Sequence, residues 1–230
     1  MSITHVPGVL TEFSHRGRQV RFFVKNMADA VQNFHLNGNF YEADTLSVIE
    51  GYLRPGDVFL DVGANVGNHA IYVALYCQPG EVIVVEPNPE AIPLLRANLA
   101  LNYLVVNTQH VGVGLSDAPR QVVAQFPRNN LGAARMVEQE DGRLRLVVGD
   151  ELFADRKIDF IKIDVEGHEL GVLNGLKRTL AANRPTIFLE IDTANRDAVF
   201  AWIEEHGYEV AHAFRQYTLT QNVILRPKAG

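Results

Sequence analysis

Short apolar runs in this chain alternate with stretches whose apolar residues recur every three or four positions, so strand and helix are written in turn. The strand-like runs are Val58 to Val62, Val82 to Val85, Val105 to Gly112, Ile158 to Ile163 and Thr186 to Ile191. Between them, Val66, Ala70, Val73 and Ala74 mark one helix, and Ile92, Leu95 and Leu99 mark another over Pro89 to Leu101. Leu170, Leu173, Leu176 and Leu180 mark a third, and Arg196 to His206, stopped by Gly207, a fourth. A final antiparallel pair follows, Tyr208 to Phe214 with Tyr217 to Leu225. Upstream, residues 1 to about 25 read as one or two strands and Phe34 to Asn39 as a loop. Glu42 to Leu53 then reads as a helix that Arg54-Pro55-Gly56-Asp57 closes. Gln121 to Phe126 and Leu144 to Val148 alternate like an extra β pair, with the polar, glycine-containing stretch Pro127 to Arg143 between them. The succession predicts an α/β fold, a seven-stranded and mostly parallel sheet with helices on both faces, plus the extra β pair.

The chemistry gathers where the apolar runs stop. Val58 to Val62 carries Asp61 and passes at once into Gly63-Ala64-Asn65-Val66-Gly67, a glycine-containing turn that admits positive φ and close backbone approach. Val82 to Val85 ends in Glu86 before Pro87-Asn88-Pro89, where a carboxylate of a doubly wound sheet holds the two hydroxyls of a ribose. A dinucleotide site asks for G-x-G-x-x-G facing a pyrophosphate. Here the order is D-x-G-x-N-x-G, and Asp61 would repel that group while pairing with an ammonium, which points to S-adenosylmethionine over NAD. Gly63 is expected to lie against the cofactor, so that a valine there would enter ligand space and spare the fold.

A second acidic block closes the fourth run of the sheet. Asp164, Glu166, His168 and Glu169 crowd the carboxyl end of Ile158 to Ile163, and Gly167 turns the chain into the next helix. Glu169 also suits that helix's N-terminus. Glu190 and Asp192 end the fifth run in the same way.

The order D-V-G-A-N-x-G, V-E-P, I-K-I-D-V-E-G-x-E and L-E-I resembles the FkbM-type family of S-adenosylmethionine-dependent methyltransferases, over about Tyr41 to Ile191. Tyr41-Glu42 fits a further, weaker block. The resemblance implies a Rossmann-like class I methyltransferase fold and O-methylation of a hydroxyl on a sugar or natural product. It implies cofactor contacts from Glu42, Asp61, Gly63, Asn65, Gly67, Glu86 and Asn88, with Ser116 and Asp117 near the adenine. Asp164 or Glu166 is expected to touch the acceptor or a metal beside it, with His168 as the candidate general base. Carboxylates this dense suit Mg²⁺ as well. Two other classes compete, an NAD-dependent oxidoreductase and a non-catalytic adenosyl-binding regulator. The first lacks its glycine fingerprint, and the second has no use for Asp164, Glu166 and Glu190 together.

Composition narrows the setting. With 230 residues, 47% of them hydrophobic, the chain supports one sizeable core, with residues 1–40 as N-terminal strands and cap and 41–230 as the methyltransferase domain. Its one cysteine, Cys77, falls on an apolar helix face and leaves no disulfide framework or zinc spacing. No apolar run approaches a membrane span, and the first residues lack the features of a signal peptide, so no membrane partner and a cytoplasmic setting are expected. A net charge of -6 disfavours a nucleic-acid partner. Arg16, Arg18, Arg21 and Lys25 alternate with Val20, Phe22 and Val24 as the wet face of a strand. The acceptor's class, sugar, lipid, polyketide or peptide hydroxyl, stays open.

Overall fold

A computed structural model describes residues 7–214 and 219–228. The chain starts with an antiparallel hairpin, β1 (Val9–His15) and β2 (Arg18–Val24). Arg16 and Gly17, at φ 49 and 79, make the two-residue turn whose twist suits such a pair. Two helices follow, α1 (Ala30–Leu36) and α2 (Ala43–Tyr52). The βα succession then runs β3 (Val58–Val62), α3 (Asn68–Tyr76), β4 (Glu81–Glu86), α4 (Ile92–Leu101) and β5 (Asn107–Val111). Four short strands come next, β6 (Val113–Ser116), β7 (Arg120–Gln125), β8 (Arg135–Glu138) and β9 (Leu144–Val148), ahead of α5 (Gly149–Phe153). The chain finishes with β10 (Phe160–Ile163), α6 (Glu169–Gly175), α7 (Lys177–Asn183), β11 (Thr186–Asp192), α8 (Arg196–Glu205), β12 (Tyr208–Ala213) and β13 (Thr220–Pro227).

The main sheet has seven strands in the order β12-β13-β11-β10-β3-β4-β5. β11, β10, β3, β4 and β5 pair in parallel, and β13 runs antiparallel between β11 and β12. The strand order reverses between β3 and β10, which opens a crevice at their carboxyl ends. Both faces of the central strands are covered, so their sequences are nearly continuous apolar runs. Alternation assigns the faces. Leu60, Val62, Ile83, Val85, Ile161 and Ile163 pack with α6 and α8 on one side, while Phe59, Val82, Val84, Phe160 and Phe188 pack with α3, α4 and the N-terminal hairpin on the other.

The hairpin joins that second face. Val20, Phe22 and Val24 are each 0% exposed. Two asparagines of α4 hold its edge: Asn98 Oδ1 accepts from Phe23 N at 2.8 Å, and Asn102 accepts from Arg21 N at 2.9 Å and donates to Arg21 O at 2.7 Å. Side-chain amides thus stand where a neighbouring strand would bond. Among the described residues no helix is long and apolar enough to cross a membrane.

Several expectations need adjusting. The extra β pair exists, β7 with β9, but as half of a four-stranded sheet ordered β6-β9-β7-β8. Its β8 lies in the polar stretch between β7 and β9, to which no strand was assigned, because Arg135–Glu138 finds β7 alongside. The helix read through Leu180 is two helices meeting at Leu176, beside Gly175, where a side chain would collide with the Ser116 carbonyl. α1 and α5 were not foreseen. Tyr217 and residues 1–6, read as parts of strands, lie outside the described residues.

Gly63 ends β3 at φ +81, and a Cβ there would collide with the Asp164 carbonyl oxygen of the neighbouring strand end. Backbone, not ligand, fills the space that the sequence reading gave to the cofactor. Gly63→Ala should therefore destabilise the fold by about 2 kcal/mol or more, and Gly63→Val by more again. Urea melts check this; an alanine variant with the parent midpoint would contradict the packing.

Candidate active site

The turn after β3 lies over the end of β4. Gly63 N and Ala64 N both donate to Val85 O, at 3.0 and 3.1 Å, and Asn65 takes the left-handed region at φ 49. That conformation aims Asn65 N at Glu86, which accepts it on Oε2 at 2.7 Å and accepts Asn88 N on Oε1 at 2.7 Å. Two backbone donors thus fix the carboxylate, and each oxygen keeps a further lone pair. Burial nevertheless pushes Glu86 up to about 7, against the pull of those hydrogen bonds. Glu86 forms the polar edge of an open space of about 600 Å³ whose walls are Val62, Val85, Pro87, Leu115, Met136 and Leu146.

A second space of about 520 Å³ adjoins it and has the opposite character. Tyr41, Glu42, Asn68, His69, Lys162 and Glu190 line it, and the two spaces share Gly63, Asn65, Gly132, Asp164 and Glu166. At its floor the Lys162 ammonium, 2% exposed, donates to Gly63 O at 2.7 Å and stands 3.2 Å from Asp61 and 3.3 Å from Asp164. Burial alone would lower the Lys162 pKa, but these two carboxylates raise it above the usual lysine value. Asp164 is held below its usual range because Lys162 and a hydrogen bond with Glu190 outweigh its burial. Glu190 goes the other way, raised by burial and by Asp164, and keeps the proton the two share. Burial and the Asp164 charge push Glu42 and Glu166 up to about 7 each. His69 is lowered to about 3 by burial and by Lys162, so its imidazole is neutral.

Residues 130–136 form a partial roof over both spaces. Leu131, Ala134 and Met136 cover the apolar one, Asn130 the acidic one and Gly132 both. Buried carboxylates help to hold this roof in place, beside the pairing of β8 with β7. Asp29, 0% exposed, caps α1 through Val31 N and Gln32 N with Oδ1 and accepts Leu131 N at 2.7 Å with Oδ2. Further along, Arg135 pairs with Asp192 at the end of β11.

The structure brings Glu42, Gly63, Asn65, Glu86, Asp164, Glu166 and His168 to the cavities and places the other expected residues around them. Asp61 is 0% exposed and lines neither space; the ammonium it faces belongs to Lys162. Gly67, at φ +92, caps α3 and abuts Leu95. Asn88 positions Glu86 through its backbone. Glu42 opens onto the acidic space and not the apolar one. Ser116 is buried and bonded to His168, Asp117 and Arg120, and Asp117 pairs with Arg120, so at the expected adenine position it is Gly114 and Leu115 that form the wall. His168 sits on the apolar side, Nε2 3.0 Å from Ser116 Oγ, because Glu166 at φ 52 and Gly167 at φ 100 carry the chain away from the acids. The imidazole among the acids is His69, which the sequence reading passed over. Lys162 was passed over too, although a lysine inside an apolar strand between two acidic strand ends is a visible signal.

Known proteins show the same plan. An rRNA methylase from Streptococcus thermophilus superposes with a TM-score of 0.51 at 11% identity, covering 81% of this chain and 95% of that one. A tRNA m1G37 methyltransferase from M. jannaschii gives 0.53 at 14%, covering 96% and 57%. These distant likenesses establish the class I methyltransferase fold. Among curated relatives, the hexuronic acid methyltransferase AglP of Haloferax volcanii is 27% identical over 71% of this chain and 67% of its own length. The methyltransferase sdnD of Sordaria araneosa is 23% identical over 68% and 75%. The AMB antimetabolite synthetase AmbE of Pseudomonas aeruginosa is 28% identical over 79% of this chain, which spans only 11% of that protein. The profile described as "Methyltransferase FkbM domain" matches residues 61–210, and the chain belongs to that family.

Proposed function

We propose that the protein transfers a methyl group from S-adenosylmethionine to a hydroxyl oxygen of a small molecule or sugar. One observation carries the reading: an apolar space edged by a fixed carboxylate opens, at Asp164 and Glu166, into a polar space lined by acids. The first suits an adenosyl group. Glu86 would accept from the ribose hydroxyls, and the orphaned Asn65 Oδ1 offers a further acceptor at the junction. When bound, S-adenosylmethionine supplies an electrophilic methyl on a sulfonium. The second space suits the acceptor. Asp164 and Glu166 would accept hydrogen bonds from the acceptor's hydroxyls and orient it toward the junction, where orientation supplies most of the rate. The relatives that act on a hexuronic acid or carry the plain name methyltransferase fit such an acceptor.

Mg²⁺ has no step in this scheme. Oxygens of Asp164, Glu166 and Glu190 come within 4.8 Å of one another, which a divalent ion could use. Yet the Lys162 ammonium and the proton between Asp164 and Glu190 already offset their charge, and another cation would have to displace both.

Glu86→Ala should weaken S-adenosylhomocysteine binding by roughly 2 to 3 kcal/mol, read by calorimetry, through loss of two charge-assisted bonds. An unchanged affinity would remove Glu86 from the ribose. The same residue sets a pH dependence. Ribose donors favour the ionised carboxylate, whose free pKa lies near 7, so binding releases a proton below that pH. Affinity should rise from pH 6 to pH 8 in the parent and rise less in Glu86→Gln; parallel profiles would assign the proton elsewhere.

At the junction, Asp164→Asn and Glu166→Gln should keep S-adenosylhomocysteine affinity within about tenfold, near 1.4 kcal/mol. Methyl transfer should fall at least a hundredfold in each. The fold should survive Asp164→Asn because Lys162 keeps Asp61 and the Gly63 carbonyl. Parent rates in both variants would move the acceptor out of the acidic space.

A further inference from the structure

Among the described residues, one imidazole nitrogen in the acidic space has no hydrogen-bond partner. His69 is 6% exposed, its ring tilts against Phe188 at 6.0 Å, and Nε2 finds no hydrogen-bond partner. The nearest acid is Glu42, whose Oε2 lies 3.9 Å away. That gap is too long for a direct hydrogen bond, yet a single oxygen about 2.8 Å from both atoms closes it with an angle of roughly 90°. Water or an acceptor hydroxyl has that shape. The other Glu42 oxygen accepts from Asn222 Nδ2 at 3.4 Å, which holds the carboxylate toward β13 while Oε2 points at His69.

We infer that Glu42 and His69 together clamp the reacting hydroxyl of the acceptor, with Glu42 taking its proton. The inference rests on the methyl transfer proposed above. The remaining acids are less suited. Asp164 is bound to Lys162 and Glu190, Glu190 already carries a proton, and Glu166 faces the apolar space as well. Glu42, pushed up to about 7, matches the basicity that general-base catalysis favours near neutral pH. His69 stays neutral and acts as the second point of the clamp. As the new oxygen to methyl bond forms, the bond from methyl to sulfur breaks with its electron pair left on sulfur. The hydroxyl proton passes to Glu42, which releases it to solvent after the product leaves.

Three variants test the pair: Glu42→Gln, His69→Gln and His69→Phe. Calorimetry with S-adenosylhomocysteine should show affinities within twofold of the parent for all three, because the clamp faces the acceptor; a tenfold loss in Glu42→Gln would make Glu42 a cofactor contact and overturn the assignment. With a panel of neutral sugars and polyols as acceptors, Glu42→Gln should lose a hundredfold in kcat. Its residual rate should no longer rise between pH 6 and pH 8, whereas Glu166→Gln should keep that rise. Glu42 titrates facing His69, Lys162, Asp164, Glu166 and Glu190, so the two glutamine variants separate it from its neighbours. His69→Gln should raise the acceptor's KM more than it lowers kcat, and His69→Phe should do both. Infrared spectra of the ligand-free protein give a readout independent of turnover. A protonated carboxyl band that titrates near pH 7 and appears in the difference between parent and Glu42→Gln spectra, over the bands of Glu86 and Glu166 common to both, supports the assignment; no such difference overturns it. Should the parent bind S-adenosylhomocysteine and methylate nothing in the panel, the proposed function fails, and the band alone decides whether Glu42 carries the proton.

Discussion

A lysine ammonium buried at the switch point of the sheet holds the site in place. Lys162 sits directly beside Asp61 in the pairing of β10 with β3, and its Nζ reaches Asp61, Asp164 and the carbonyl of Gly63 at once. Burying one such charge is prohibitive unless opposite charges and acceptors meet it, and the cost falls on either partner when the other is removed. Asp61 shows this dependence most clearly. Among the described residues neither oxygen has a well-aligned hydrogen bond, so the carboxylate depends chiefly on the nearby ammonium, with the Ala70 backbone N–H as a lesser support. The carboxyl ends of two strands are thereby locked at a fixed offset, and the glycine turn rests on the lock.

From that lock follows the division of the site. The turn after β3 leans toward β4 and fixes Glu86, whereas the residues after β10 lean back over Lys162 and gather acids. One side is walled by aliphatic side chains and the other by ionisable ones, a few ångströms apart. Glu42, Glu86 and Glu166 all sit near 7 because burial disfavours their ionised forms. A raised carboxylate costs stability as it ionises, so these three weaken the ligand-free fold as pH rises from the ordinary carboxylate range through 7. Ligand donors relieve that cost, which is the usual exchange of stability for function at a site.

The parallel strands and both acidic strand ends could be read from apolar runs broken by charge. Legibility stopped where long-range register decides the outcome. Lys162 stood in plain view, yet only the pairing of β10 with β3 shows that Asp61 belongs to it. The histidines show the same limit: His69 and His168 each follow a glycine turn, and the left-handed steps at Glu166 and Gly167 decide which cavity His168 reaches. Ser116 and Asp117 look like ligand groups until Arg120 folds back on them. β8 needs β7 beside it, and α1 needs a cap that is shared with a loop far along the chain.

That shared cap links two events that look separate. Asp29 gives one oxygen to the first turn of α1 and the other to Leu131 in the roof, inside a fully buried position. Lifting the roof strips an acceptor oxygen of its donor where water does not reach, unless the helix start loosens as well. One buried carboxylate thus supports both the start of a peripheral helix and the cover of a chamber that helix barely lines, so a substitution at Asp29 is felt in both places.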